Sequence, residues 1–474
     1  MTELPAGWEL ATVEELAALG GVTDGPFGSN LKTEHYEDAG PRVVRLQNIG
    51  DGVFRDEKAH ISAEHFESLA KHSVQPNDVL VASLGELLPR ACLAPEALGP
   101  AIVKADCIRV RPGDAAHPSL LMWALNAPQT RERVGQSIKG VGRPRINLGD
   151  LRVLELPVPP PAEQERIVAA IEEAFSKLDA GDAGLRAVRQ LLKRTRDAVL
   201  AAAVSGRLVP QDPGDTPAAK VLAGFGVEQL ESEDLPEVPE GWAQVRVADI
   251  AKVGSGTTPK RGRAEYWTAG QIPWVTSGAV NAGIVREATE FVTETALRET
   301  SLRLWPPGTL LVAMYGEGQT RGRCAELAIE ASCNQACAAI ALQDGLELYR
   351  QTLRLHFDAN YSANRGLAAG GVQPNLSGAI IKDMIVALPP AEEASRIVAE
   401  VERQMSFLDA CERSVDTGLE VSAALHRSVL KAAFEGRLVP QDPSDEPASV
   451  VLERIRAERA ATPKPKKRRA RATA

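Results

Sequence analysis

At 474 residues the chain has room for two to four domains, each with its own core. Hydrophobic residues make up 44% and charged residues 25%, and neither an apolar run of about 18 residues nor an N-terminal apolar segment follows Met1, which excludes a membrane span and an export signal and leads us to expect a cytoplasmic protein. The net charge of −9 excludes a polycation but not a local DNA-binding face, because bulk charge governs solubility and steering rather than one surface.

The first block, residues 1–158, has 16 basic and 21 acidic residues. Short strand-like runs (Val43 to Leu46, Val79 to Ser83, Ile108 to Val110) alternate with glycine-rich turns and a helix at Leu120 to Leu125. His60, His65 and His72 lack metal-site spacing and are expected at the surface. The six cysteines form no CxxC pair, so buried thiols are expected rather than disulfides or zinc ligands.

Pro159-Pro-Pro161 ends a strand-like run, and a helix is predicted from Ala162 to Ser205, because proline is tolerated only in a helix's first turn. Ile171, Leu178, Leu185, Leu192 and Val199 recur every seven residues, with Ala174, Val188 and Ala202 at offset three. This spacing predicts a left-handed supercoil seam. At 1.5 Å per residue the helix would be a rod of about 65 Å. Gly206 is placed for a left-handed cap and Pro210 blocks resumption. A short helix (Pro217 to Phe225) completes a region 159–227, and an acidic, proline-bearing linker follows at 228–238.

The second block, 239–388, opens with Val238-Pro-Glu-Gly-Trp242 as the first opens with Leu4-Pro-Ala-Gly-Trp8, and it carries 14 basic against 14 acidic residues. Its strand-like runs (Pro273 to Thr276, Leu310 to Met314, Ala338 to Leu342) and a helix at Leu346 to His356 come in the same order as in the first block. Then the helical region returns: Pro159 to Leu222 aligns without a gap to Pro389 to Leu452, with 29 identities in 64 positions. Val401, Leu408, Val415, Ser422 and Val429 occupy the seam positions and Leu425 the offset-three position. Two matched seams in one chain predict that the helices pair with each other and that the molecule is pseudo-twofold. Region 389–459 ends in a second short helix, and the tail 460–474, with Lys464 to Arg471, is either extra phosphate affinity or a plain solvated terminus.

No phosphate-binding loop, nucleophile elbow, zinc signature or amino-methyltransferase motif occurs, so binding leads as the functional class and no metal or catalytic residue is assigned. The candidates are basic, glycine-flanked loops: Lys139, Arg143 and Arg145 with Asn147; Lys260, Arg261 and Arg263; Gln319, Arg321 and Arg323. Gln47, Asn48, Gln373 and Asn375 are further polar candidates. Arginine can bridge guanine O6 and N7, and Asn or Gln can pair with adenine N6 and N7; each loop can equally be a solvated turn.

This layout resembles the specificity subunit of type I restriction-modification systems. The resemblance rests on the Pro-x-Gly-Trp openings, the helix starts Leu156-Pro-Val-Pro-Pro-Pro-Ala-Glu-Gln-Glu-Arg-Ile-Val168 and Leu388-Pro-Pro-Ala-Glu-Glu-Ala-Ser-Arg-Ile-Val398, the two Gly-Arg-Leu-Val exits, and Asp24-Gly-Pro-Phe-Gly-Ser29. Ala394 departs from the pattern where the first copy has Gln164. The resemblance implies an α+β chain in which two mixed α/β target-recognition domains are separated by an antiparallel intramolecular coiled coil. Each domain would read half of a split double-stranded DNA target. Two methyltransferase subunits would dock on the platform, and restriction/translocase subunits would complete the complex. S-adenosylmethionine, ATP and Mg2+ would belong to those partners, and this chain would catalyse nothing. The alternatives are the recognition part of a methyltransferase or nuclease with an unrecognised site, and a coiled-coil adaptor without a DNA role.

Overall fold

The structure, a computed structural model, describes residues 4–27, 30–137, 144–315, 320–366 and 376–461. It divides into two compact units, Met1–Leu185 with Thr417–Ala474, and Arg186–Asp416.

In the first unit one four-stranded sheet runs Ala17–Asp24, Cys107–Pro112, Val79–Ala82, Arg90–Leu93, and a second runs His60–Ile61, Tyr36–Val44, Ala101–Val103, Ser73–Val74. Val79-Leu-Val-Ala82 is buried on both faces, as an unbroken apolar run predicts for a central strand. Glu9–Thr12 pairs antiparallel with Glu155–Val158, so the ends of the domain meet where the first long helix begins. The helix Pro118–Asn126 starts on its proline and seats Leu120, Leu121 and Leu125 on Val79, Val81 and Val110. The same core takes in Ile167 and Ile171 from the first long helix, and Leu430, Ala433 and Phe434 from the end of the second.

The second unit repeats this plan with a five-stranded sheet (Ala251–Ser255, Cys337–Leu342, Leu310–Ala313, Cys324–Leu327, Ile284–Val285) and a three-stranded one (Glu290–Val292, Ile272–Val275, Ser332–Cys333). Ala243–Arg246 pairs with Ile385–Leu388 as its counterpart does. Val199 and Ala203 of the first long helix meet Ile397 and Val401 of the second under Trp242.

The long helices are Pro161–Val204 and Ala391–Ala433, 44 and 43 residues. In the first unit Asp179 meets His426 at 3.4 Å and Leu185 faces Gly418; in the second Arg196 meets Asp409 at 2.5 Å, and Arg189 meets Asp416. Partner numbers fall on one helix as they rise on the other, so in each unit the segments run antiparallel. Ile171, Val199, Val401, Leu408 and Val415 are buried, while Leu178, Leu185, Leu192 and Val429 are half-buried. Leu425 corrects the expected seam: it is 46% exposed, whereas Ser422 is 7% exposed. Val188, at an offset-three position of the first long helix, is exposed too. Between Leu178 and Val199 the second covered position of each heptad falls instead at offset four, where Asp182, Arg189 and Arg196 are half-buried.

The repeated motifs make repeated contacts. The Trp8 indole N–H donates to Glu163 at 3.1 Å, and Trp242 to Glu393 at 3.0 Å. Arg166 pairs with Asp445 and Arg396 with Asp215, so each helix start is held by the loop following the other helix. Gln164 spans His117 N–H and the carbonyls of Ala115 and Pro159, bonds that Ala394 cannot make. Burial pushes the Glu163 and Glu393 carboxyls up, against the pull of the indoles and of Arg166 and Arg396. A glutamate whose folded value lies above its unfolded one favours the fold once protonated. Its contribution therefore grows as pH falls through the folded value and levels off below the ordinary glutamate range. Glu163→Gln keeps an acceptor for Trp8 and removes the buried charge. Its melting temperature at pH 7 is expected to equal or exceed that of the wild type, with less gain on acidification; a large fall at pH 7 would contradict this.

Among the described residues no helix is long and apolar enough to cross a membrane, and no cluster of His, Cys, Asp or Glu is placed to hold a metal ion. Cys92, Cys107, Cys324, Cys333 and Cys337 are buried free thiols. His72, expected at the surface, is buried with Nδ1 on the Asp24 carbonyl, and burial lowers its pKa.

Candidate nucleic-acid interface

The basic loops differ in how free their cations are. Lys139, Arg143, Gln319, Gln373 and Asn375 lie outside the described residues. Arg145 is exposed, with Nη2 at 2.6 Å from Asp106 and its guanidinium 5.8 Å from the Phe27 ring centre. Asn147 is exposed and caps the short helix Leu148–Arg152, accepting from Asp150 N–H at 2.9 Å.

In the second unit the Lys260 to Arg263 loop has no acid in its own sequence, but the fold brings acids to it. Arg261 lies 3.9 Å over the Trp267 ring and 4.9 Å from that of Trp274, and is paired with Glu290. Arg263 is paired with Glu265 at 2.6 Å and lies 3.6 Å from Glu299, over the Tyr266 ring. Those carboxylates hold both guanidinium charges, whereas Lys260 is exposed. Arg321 and Arg323 are half-buried. Arg323 stacks at 5.8 Å on Tyr361 and lines a cleft of about 500 Å3 with Arg196, Arg354 and Asp358, so it faces the long helices rather than a free loop tip.

Gln47 is exposed and donates to Glu57 at 2.7 Å. Asn48 is a correction: it is 0% exposed, accepts from Arg45 N–H at 2.8 Å, and donates to the carbonyls of Arg55 and Glu57 at 2.8 and 2.7 Å. Its hydrogen-bonding capacity is spent on the turn, and it cannot reach a base. Asn48→Ala leaves those groups unpaired and is expected to lower stability by about 1–3 kcal/mol without changing any DNA sequence preference. Denaturation together with a selectivity assay tests both halves of that statement.

Sequence reasoning passed over Asp106, Arg303, Tyr315 and Lys382, which lie outside the basic, glycine-flanked loops.

The family described as the type I restriction modification DNA specificity domain matches residues 239–412. The specificity subunit of type I restriction enzyme EcoKI from Escherichia coli (strain K12) is 24% identical over 488 residues, covering 97% of both chains. The StySPI specificity subunit of Salmonella potsdam is 24% identical over 499 residues, covering 97% of this chain and 96% of that one. Among solved structures, the HsdS subunit of Thermoanaerobacter tengcongensis superposes with a TM-score of 0.54 at 18% identity, covering 92% of this chain and 98% of that one. A chain from the study of complex assembly and conformational transition of the type I R-M system gives a TM-score of 0.64 at 18% identity, covering 92% and 100%. The fold, two mixed domains and a long helix pair, is thus shared with the HsdS subunit. Residues 239–412 carry the match to the specificity-domain family, and over nearly its whole length the chain is similar to type I restriction enzyme specificity subunits.

Proposed function

We propose that this subunit reads a bipartite duplex target, with residues 1–158 on one half-site and 239–388 on the other. The paired helices set the gap and carry two methyltransferase subunits, and restriction/translocase subunits complete the assembly in the cytoplasm. Exposed Arg145, Lys260 and Gln47 are the sequence candidates best placed to approach DNA. The observation that carries this reading is the duplicated attachment: the Trp–Glu bond, the Arg–Asp pair and the glycine exit recur in both units, while the recognition surfaces between them differ. Identical mounts with different heads suit two partners of one kind and two unlike half-sites. A rod of about 65 Å corresponds to roughly 19 base pairs at ~34 Å per ten, enough for two short half-sites and an unread gap.

Sequencing the methylated positions in DNA from cells that express this chain with its methyltransferase partner tests the reading. Two short sequences separated by a fixed, unspecified gap are expected. One continuous target, or methylation without sequence preference, overturns it.

A further inference from the structure

Each recognition domain carries an open pocket at the same place in its fold, and the two pockets differ in chemistry. Backbone contacts establish the equivalence. Gly25 N–H donates to the Cys107 carbonyl at 3.2 Å and Gly256 N–H to that of Cys337 at 3.1 Å; Ser83 N–H donates to Asp106 at 2.9 Å and Met314 N–H to Ala336 at 2.8 Å. Asp24 stands opposite Ile108 in its strand pair as Ser255 stands opposite Ala338. Asn147 and Ser377 cap the helices at the two far walls. A Cβ on either Gly25 or Gly256 would fall 2.1 Å from a backbone atom, so both near walls are fixed by glycine.

The first pocket, of about 290 Å3, is walled by Asp24, Phe27, Ser83, Asp106, Arg145 and Asn147. It presents a carboxylate acceptor and a guanidinium donor side by side, beside a Phe27 ring that is 48% exposed. The second, of about 550 Å3, offers Ser255, Arg303, Tyr315, Gln335, Ser377 and Lys382. Among the described residues no carboxylate lines it, and neither Arg303 nor Lys382 forms an ion pair. Gln335 accepts through Oε1 from the Thr258 hydroxyl, which leaves its amide nitrogen to donate inward.

We infer that these paired pockets are where the two recognition domains take base-pair edges, and that they do so with opposite hydrogen-bonding character. The inference rests on the split-target reading above and names its specificity-determining residues. In the major groove a G·C pair sets the guanine O6 and N7 acceptors beside the cytosine N4 amino donor. Asp106 accepts from that amino group while Arg145 donates to the guanine. The charged groups of the second pocket are donors only: Arg303 and Lys382 take guanine O6 and N7, and among the described residues no carboxylate lines it to favour an exocyclic amino group. The side chains that decide the two half-sites therefore sit at matched positions and carry unlike charge.

The test uses the full chain with its methyltransferase partner and compares Asp106→Asn and the double variant Arg303→Gln/Lys382→Gln with the wild type by sequencing methylated sites. Asp106→Asn is expected to reduce discrimination roughly 5- to 150-fold at one position of one half-site and to leave the other half-site intact; the double variant does the same in the other half-site. Unchanged selectivity, or a change in the wrong half-site, overturns the inference. A uniform loss across all sequences at an unaltered melting temperature also overturns it, because that is the behaviour of phosphate contacts. If Asp106→Asn lowers the melting temperature, the double variant decides, since Arg303 and Lys382 are exposed. A wild-type complex without any defined target would sink the split-target reading itself. That result is distinct from a selective wild type whose variants stay selective.

Discussion

Lengthening both long helices by one heptad, between Leu185 and Arg186 and between Asp416 and Thr417, is expected to widen the gap between the half-sites by about three base pairs and to leave both half-site sequences unchanged. Seven residues add about 10.5 Å of helix, or roughly three steps of B-form DNA at ~3.4 Å each. The positions are chosen to keep the helix-to-helix contacts within each unit. Asp179 with His426 and Leu185 with Gly418 lie wholly on one side of the insertions, and Arg189 with Asp416 and Arg196 with Asp409 wholly on the other. Seven residues are nearly two turns, so the apolar stripe continues on one face; a single inserted residue would turn the stripe beyond it by about 100° relative to the stripe before it. Sequencing of methylated sites reads the outcome. Changed half-site sequences at an unchanged gap would show that the helices do not set the spacing.

How much of this was legible beforehand depended on whether a signal was periodic or long-range. The seven-residue spacing from Ile171 to Val199 is a local pattern, and it marked a helix that runs Pro161–Val204. The pattern could not say how wide the stripe is, because that depends on what covers it; hence Leu425 was assigned to a seam that it leaves. The Pro-x-Gly-Trp openings and the Pro-Pro-x-x-Glu helix starts were each visible. The bond joining Trp8 to Glu163 spans 155 positions and needed the fold. Charge was the least legible property. Arg261 and Arg263 had no acid in their own loop, yet Glu290 pairs with Arg261, and Glu265 just past the loop and the distant Glu299 with Arg263. Asn48 read as a polar candidate because its partners are carbonyls, which leave no trace in composition. The pocket residues fared worst: Asp106 and Arg145 are 39 positions apart and become neighbours only when two loops close on Gly25.

Gly436→Ala is expected to be among the most destabilising single substitutions in the chain, and Gly206→Ala its equal in the other unit. Both glycines end a long helix with φ of +66° and +67°, a region that costs an L-residue about 1–2 kcal/mol. Space makes the position stricter still. An alanine Cβ would lie 2.3 Å from the Pro5 ring at Gly436 and 2.4 Å from the Pro239 ring at Gly206. A proline ring cannot swing aside as a long side chain does, so the opener itself must shift. That shift pulls on Trp8 or Trp242, whose indole is bonded to the glutamate of the opposing helix start. One methyl group thus loosens the opener, the helix exit and the helix start together. The contrast is Gly181→Ala, in the interior of the first long helix, where an added Cβ meets nothing within 4 Å. There alanine is expected to stabilise by about 0.5–1 kcal/mol, since glycine is the costlier residue in a helix. Paired thermal and denaturant melts of the three variants separate the cases. If Gly436→Ala unfolds with the wild type while Gly181→Ala is stabilised, the exit glycine does not hold the opener, and the duplicated mount loses its anchoring point.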